Sequence, residues 1–167
     1  MAAPTVPSSR PVSSISEPAA GALGTYDPAA QEAPAQKVLT AFDFGALVAA
    51  GSGGADVVSS STSQNLLGVA LIANNSGDYA NNAYLADDIA GIGRRGYYIV
   101  KIDPNNKPTV GGTIRVSFAT GKKGWLTSSA TSSLLIAQTA GIRIERVYDS
   151  VAEVYLNGNP VYPISGS

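Results

Sequence analysis

A chain of 167 residues is about one domain long, and only 14% of it is charged, against about 25% in an average globular protein. A net charge of −1 leaves no broad positive field to hold nucleic acid, and the lack of cysteine and histidine removes disulfides, thiolate metal sites and every Ser-His or Cys-His catalytic device. No run of about 18 apolar residues spans a membrane, and Met1-Ala-Ala-Pro-Thr-Val-Pro has neither the basic nor the apolar region of a signal peptide, so the chain reads as soluble and made in the cytoplasm.

Residues 1–36 hold six of the ten prolines (Pro4, Pro7, Pro11, Pro18, Pro28 and Pro34) among Ala, Ser and Gly, and their apolar residues follow neither a strand nor a helix period. Such a stretch buries too little surface to offset its ordering entropy, which predicts an extended N-terminal arm ahead of a body at 37–167. The pattern then becomes that of strands. Val38, Thr40, Phe42 and Phe44 share one face, Gly51-Ser-Gly-Gly-Ala punctuates, Asp56-Val-Val-Ser is a short strand, and Leu66 to Ala73 is an apolar run expected to be buried on both faces. Leu85, Ile89 and Ile92 fall at helical spacing behind Asn82 as a cap, which predicts one short helix closed by Gly91 or Gly93.

Alternation resumes at Tyr97 to Ile102, with Tyr98, Val100 and Ile102 on one face. Asp103-Pro-Asn-Asn-Lys-Pro is a turn, Ile114, Val116 and Phe118 alternate with polar residues, and Thr120-Gly-Lys-Lys-Gly-Trp leads a hairpin into Trp125-Leu-Thr. Leu134 to Ala137 and Ile142-Arg-Ile-Glu follow, and Ala152, Val154 and Leu156 point inward on a final strand stopped by Asn157-Gly158. About eight to ten short strands with regular turns indicate a mainly β fold, a small antiparallel barrel or β-tulip-like body with at most one short helix.

Catalytic chemistry finds little support. Asp87 and Asp88 are adjacent, so regular backbone points them apart, and the calcium set Asp78, Asp87 and Asp88 lacks an Asp-x-Asp-x-Asp-Gly loop. Gly91-Ile-Gly-Arg-Arg-Gly96 matches the dinucleotide fingerprint in letters only, because it opens a strand instead of a helix. Gly121-Lys122 is followed by Lys123 where a phosphate loop requires Ser or Thr. These absences predict a non-enzyme without cofactor or metal. A trimeric β-barrel hydrolase of the dUTPase type suits the length, yet its glycine-rich tail and substrate motifs are missing.

From about residue 55 onward, the order of segments resembles the decoration, or cement, proteins of bacteriophage capsids. The residues that carry the resemblance are Leu67-Gly-Val-Ala-Leu71, the strand Gly96 to Ile102, the Gly112 to Thr127 hairpin with Gly121-Lys122 and Trp125-Leu-Thr, and the strand ending at Leu156-Asn-Gly158. The arm lies outside it, and Ile136-Ala-Gln-Thr-Ala-Gly-Ile stands where the family pattern repeats Gly-Val-Ala-Leu. The resemblance implies a homotrimer, made in the host cytoplasm and bound to the major capsid protein on the outer surface of the virion. There it sits at three-fold or quasi-three-fold junctions and holds the head together, with no nucleic acid or membrane as partner.

On that reading the arm contacts the shell or a neighbouring subunit, with Leu23 and Tyr26 as anchors, and Tyr97 and Trp125 are candidate interface residues. Tyr98 reads better as core, and Trp125 fits core and interface equally. The rival function is a fibre or tail module that touches host glycans through an exposed aromatic platform.

Overall fold

The computed structural model describes residues 17–24, 32–72, 81–137 and 140–167. Among them there are fourteen β-strands and no α-helix. The largest sheet has nine strands. Its main path runs β1 (Ala35–Lys37), β7 (Ile89–Gly93), β5 (Asn65–Ala70), β14 (Tyr162–Gly166), β11 (Ser133–Ile136), β9 (Arg115–Ser117) and β10 (Leu126–Thr127). Off this path β3 (Leu47–Gly51) pairs with β5 and with β4 (Gly54–Asp56).

A second sheet has the order β12 (Ile142–Val147), β13 (Val151–Asn157), β8 (Arg95–Lys101), and β2 (Phe42–Asp43) pairs with β6 (Ala83–Tyr84). Beyond the end of β8, Ile102 bridges Leu126 and the Asp103 N–H donates to the Leu126 carbonyl at 2.8 Å, which joins β8 to β10. The result is a curled half-barrel, as the spacing of short strands predicts.

Why the alternation works is visible in the register. Tyr98, Val100, Ala152, Val154 and Leu156 are fully buried on the inner face, because a strand sends every second side chain to the same side. The apolar run expected from Leu66 to Ala73 is a strand only as far as Ala70, where it packs into cores on both faces; Ile72 is exposed and Ala73 lies outside the described residues. Leu66 and Val69 join Leu47 and Ala49 in the barrel core, while Ala70 and Val48 join Val38, Phe42, Phe44, Tyr84 and Ile92 in a second core behind the sheet. There the Tyr84 ring meets Phe44 and Phe42 edge-on, at 5.0 and 5.7 Å.

Several expectations need correction. The helix predicted around Leu85 to Ile92 does not form. Leu85 and Ile89 are half exposed, Asn82 and Asp87 have positive φ, and Ile89–Gly93 is β7, paired with β1 and β5. Two glycines weaken helix there, and two waiting strand edges outweigh the local spacing.

The strand expected from Val38 to Phe44 is broken at Thr40, which is exposed. Val38 belongs beside Ala55, whereas Phe42 pairs with Tyr84, so the two halves answer to different neighbours. The strand expected at Asp56 lies one turn earlier, at Gly54–Asp56. Four strands went unforeseen besides β7: Ala35–Lys37, Leu47–Gly51, Ala83–Tyr84 and the C-terminal Tyr162–Gly166. Asp78 lies outside the described residues.

Candidate functional site

The described parts of the N-terminal segment, residues 17–24 and 32–37, pair antiparallel with the chain between Ile99 and Ile89. Gly21 N–H donates to the Ile99 carbonyl at 2.7 Å, Ile99 N–H to Ala22 at 2.9 Å and Gly24 N–H to Tyr97 at 2.8 Å. Glu32 N–H then reaches Arg95 at 3.0 Å, and β1 completes the run against β7. The segment satisfies an edge that would otherwise stand open. At its start Glu17 accepts hydrogen bonds from the Ser150 hydroxyl (2.8 Å), the Val151 N–H (2.9 Å) and the Ser150 N–H.

Leu23 is bridged to Tyr98 by its backbone while its side chain stays 50% exposed. Tyr26 lies outside the described residues. Tyr98 is fully buried, and its hydroxyl donates to the Glu32 and Arg95 carbonyls, so it closes the core against the N-terminal segment.

Tyr97 is half-buried on the outer face of the second sheet. There it forms one row with Tyr155 and Arg143, one residue from each strand. The two rings lie 5.0 Å apart at 54°, and the Arg143 guanidinium sits 4.7 Å from the Tyr155 ring. Arg143 also pairs with Glu145 at 2.9 Å. Tyr155 was legible in part, since inward Val154 and Leu156 require it to face out. Arg143 was not, because only the β12–β13 register brings it there.

Trp125 is half-buried just before β10, beside Lys101 at the end of β8. Its Nε1–H donates to Asp43 Oδ2 at 3.1 Å, and the Lys101 ammonium lies 5.0 Å from its ring and 3.2 Å from Asp43. Asp43 and Trp125 are 82 positions apart, and nothing local in the chain announces the pair. Beside the indole is a mainly apolar cleft of about 400 Å³, walled by Pro18, Ala20, Lys101, Pro104, Trp125 and Val151.

The structure therefore does not gather the predicted residues in one pocket: Tyr97 is on the outer face of β8, Trp125 lies beside Lys101 at the end of that strand, and Leu23 pairs with inward-facing Tyr98 and so does not share the face of Tyr97. The aromatic and cationic side chains of Tyr97, Tyr155 and Arg143 suit contact with a broad partner surface. Asp87 pairs with Lys37 at 2.8 Å, and Asp88 accepts the Leu85 N–H at 2.8 Å. Among the described residues no three His, Cys, Asp or Glu side chains gather where they could hold a metal, and no helix is long and apolar enough to cross a membrane.

Comparison with known proteins gives two findings. A solved chain in the capsid of Myoviridae phage XM1 superposes with a TM-score of 0.73 at 18% identity, covering 89% of this chain and 95% of that one, which shows a shared fold. No curated protein sequence matches. The family described as structural cement protein (E217 gp24/Pam3 gp6) matches residues 13–157. That range takes in most of the N-terminal segment, which the resemblance had left out, and stops before β14. With most of its length inside the match, the chain belongs to the structural cement protein family of phages.

Proposed function

We propose that the protein is a capsid decoration subunit that binds the outside of the major capsid shell at three-fold or quasi-three-fold junctions and stabilises the head by binding, without catalysis. Membership of the cement family carries this reading. In it, residues 37–167 are the body and residues 1–36 the arm, whose described part lies on its own body with Leu23 turned outward.

The active form is a homotrimer. Three copies engage three equivalent sites at once, so modest contacts at Tyr97, Trp125 and Leu23 add up through effective concentration. Free energy gained at the junction then opposes separation of shell subunits under the pressure of packaged DNA. Heads with and without the protein are compared by heating and following DNA release. Decorated heads are expected to retain DNA at temperatures that empty bare heads, and equal release temperatures contradict the stabilising role. Sedimentation of the free protein as anything other than a trimer contradicts the oligomeric part.

A further inference from the structure

The Trp125 cleft has a shape and chemistry that the capsid reading leaves unused. Its walls are a tryptophan, two prolines and aliphatic side chains together with Lys101 and Ser150, and the indole N–H is held by Asp43. Aromatic-lined clefts of this kind bind polyproline II segments, because such a segment is already extended and loses little entropy on docking. This chain carries the proline spacing that suits one. Pro4-Thr-Val-Pro7 places two prolines three residues apart, on the same face of a left-handed helix of three residues per turn.

We infer that the Pro4–Pro7 run of one copy docks in the Trp125 cleft of a second copy. Pro18 and Ala20 already form a wall of the cleft, and the chain leaves it at Glu17, which is fixed on the Ser150–Val151 turn at the rim. In polyproline geometry the stretch from Ser16 back to Pro4 reaches about 37 Å, against roughly 35 Å for the width of a compact body this size. Each copy has one such segment and one cleft, so the docking is head-to-tail and links each copy to the next. The link goes beyond capsid binding, and it is measured without heads, so either reading can fail alone.

Trp125 is the only tryptophan, which makes its fluorescence a direct readout of the cleft. Acrylamide quenching is followed over a range of concentrations for the full chain and for the Pro4→Ala/Pro7→Ala variant. The full chain is expected to become about two-fold less quenchable as concentration rises, as the cleft fills. The variant is expected to remain quenchable throughout, and a peptide of residues 1–12 is expected to restore its protection. Equal quenching of the two proteins, or no response to the peptide, overturns the inference. Protection that depends on the prolines at concentrations where sedimentation shows the full chain to be monomeric places the segment in its own cleft, and overturns the assignment to a second copy.

Discussion

The carboxylate of Glu17 accepts the backbone N–H of Val151 at 2.9 Å, a contact between residues 134 positions apart. It holds the N-terminal segment over the start of β13, so that residues 21–24 remain paired with β8. Burial opposes the charged carboxylate, and the Ser150 and Val151 donors outweigh it, so Glu17 titrates below the ordinary value of 4.5. Stability from this contact is present above pH 4.5 and is lost as pH falls through the lowered native value. Glu17→Gln is expected to speed hydrogen exchange at the Ile99 amide, which is bonded to Ala22, and to abolish its acid dependence. Unchanged exchange would show that the segment does not depend on Glu17.

A second prediction concerns Asp103, a buried carboxylate that accepts Lys122 Nζ at 2.8 Å, Asn106 Nδ2 at 3.0 Å and the Asn105 N–H at 3.1 Å. The Lys122 ammonium and the two asparagines hold it below the ordinary 3.8. Asp103→Ala strands these donors and is expected to lower stability by about 1–3 kcal/mol, read as a lower urea midpoint at unchanged slope. The loss is expected to be full above pH 3.8 and to shrink as pH falls below it, since the wild type then gives up the same interaction.

Tyr162 ties the C-terminal strand to the rest. It is fully buried, its hydroxyl donates to the Arg94 carbonyl and accepts from Gly158 N–H at 3.2 Å, and burial pushes the phenol up to about 12. Tyr162→Phe is expected to cost about 1 kcal/mol, and Tyr162→Ala about 3–5 kcal/mol through the cavity it leaves. Because the native phenol is raised from 10.0, its stabilisation is lost as pH rises from 10 through 12. Alkaline titration of the wild type is expected to show this loss and that of Tyr162→Phe to show a smaller one, the remainder coming from Tyr98, whose phenol burial also raises.

Partner contact is separable from folding at exposed Leu23 and half-buried Tyr97. Leu23→Ser and Tyr97→Ala are expected to weaken attachment to heads about ten-fold each, with urea midpoints shifted by less than about 1 kcal/mol. Full attachment by the double variant would remove these residues from the interface.

The strands whose alternation is complete within a few residues were legible in the chain. Tyr98, Val100 and Ile102, and Ala152, Val154 and Leu156, needed only the two-residue period to be placed inward. Strand β14 was not legible, because Pro160, Pro163, Ser165 and Gly166 read as a tail. It exists because the edges of β5 and β11 accept its backbone. The false helix at Leu85 to Ile92 has the same cause, since sheet pairing with distant β1 and β5 overrides local spacing. At the candidate site, Tyr97 and Trp125 were found as aromatics in strand context, while Asp43, Lys101 and Arg143 depend on contacts far apart in sequence.

The most direct test of the capsid reading is co-sedimentation of the purified full chain with undecorated heads, with and without residues 1–16. Saturable binding, with a copy number that fills the three-fold sites and an affinity that falls without those residues, is the predicted result. No sedimentation with heads by either form, at any concentration, would contradict the account and direct attention to host glycans as the partner.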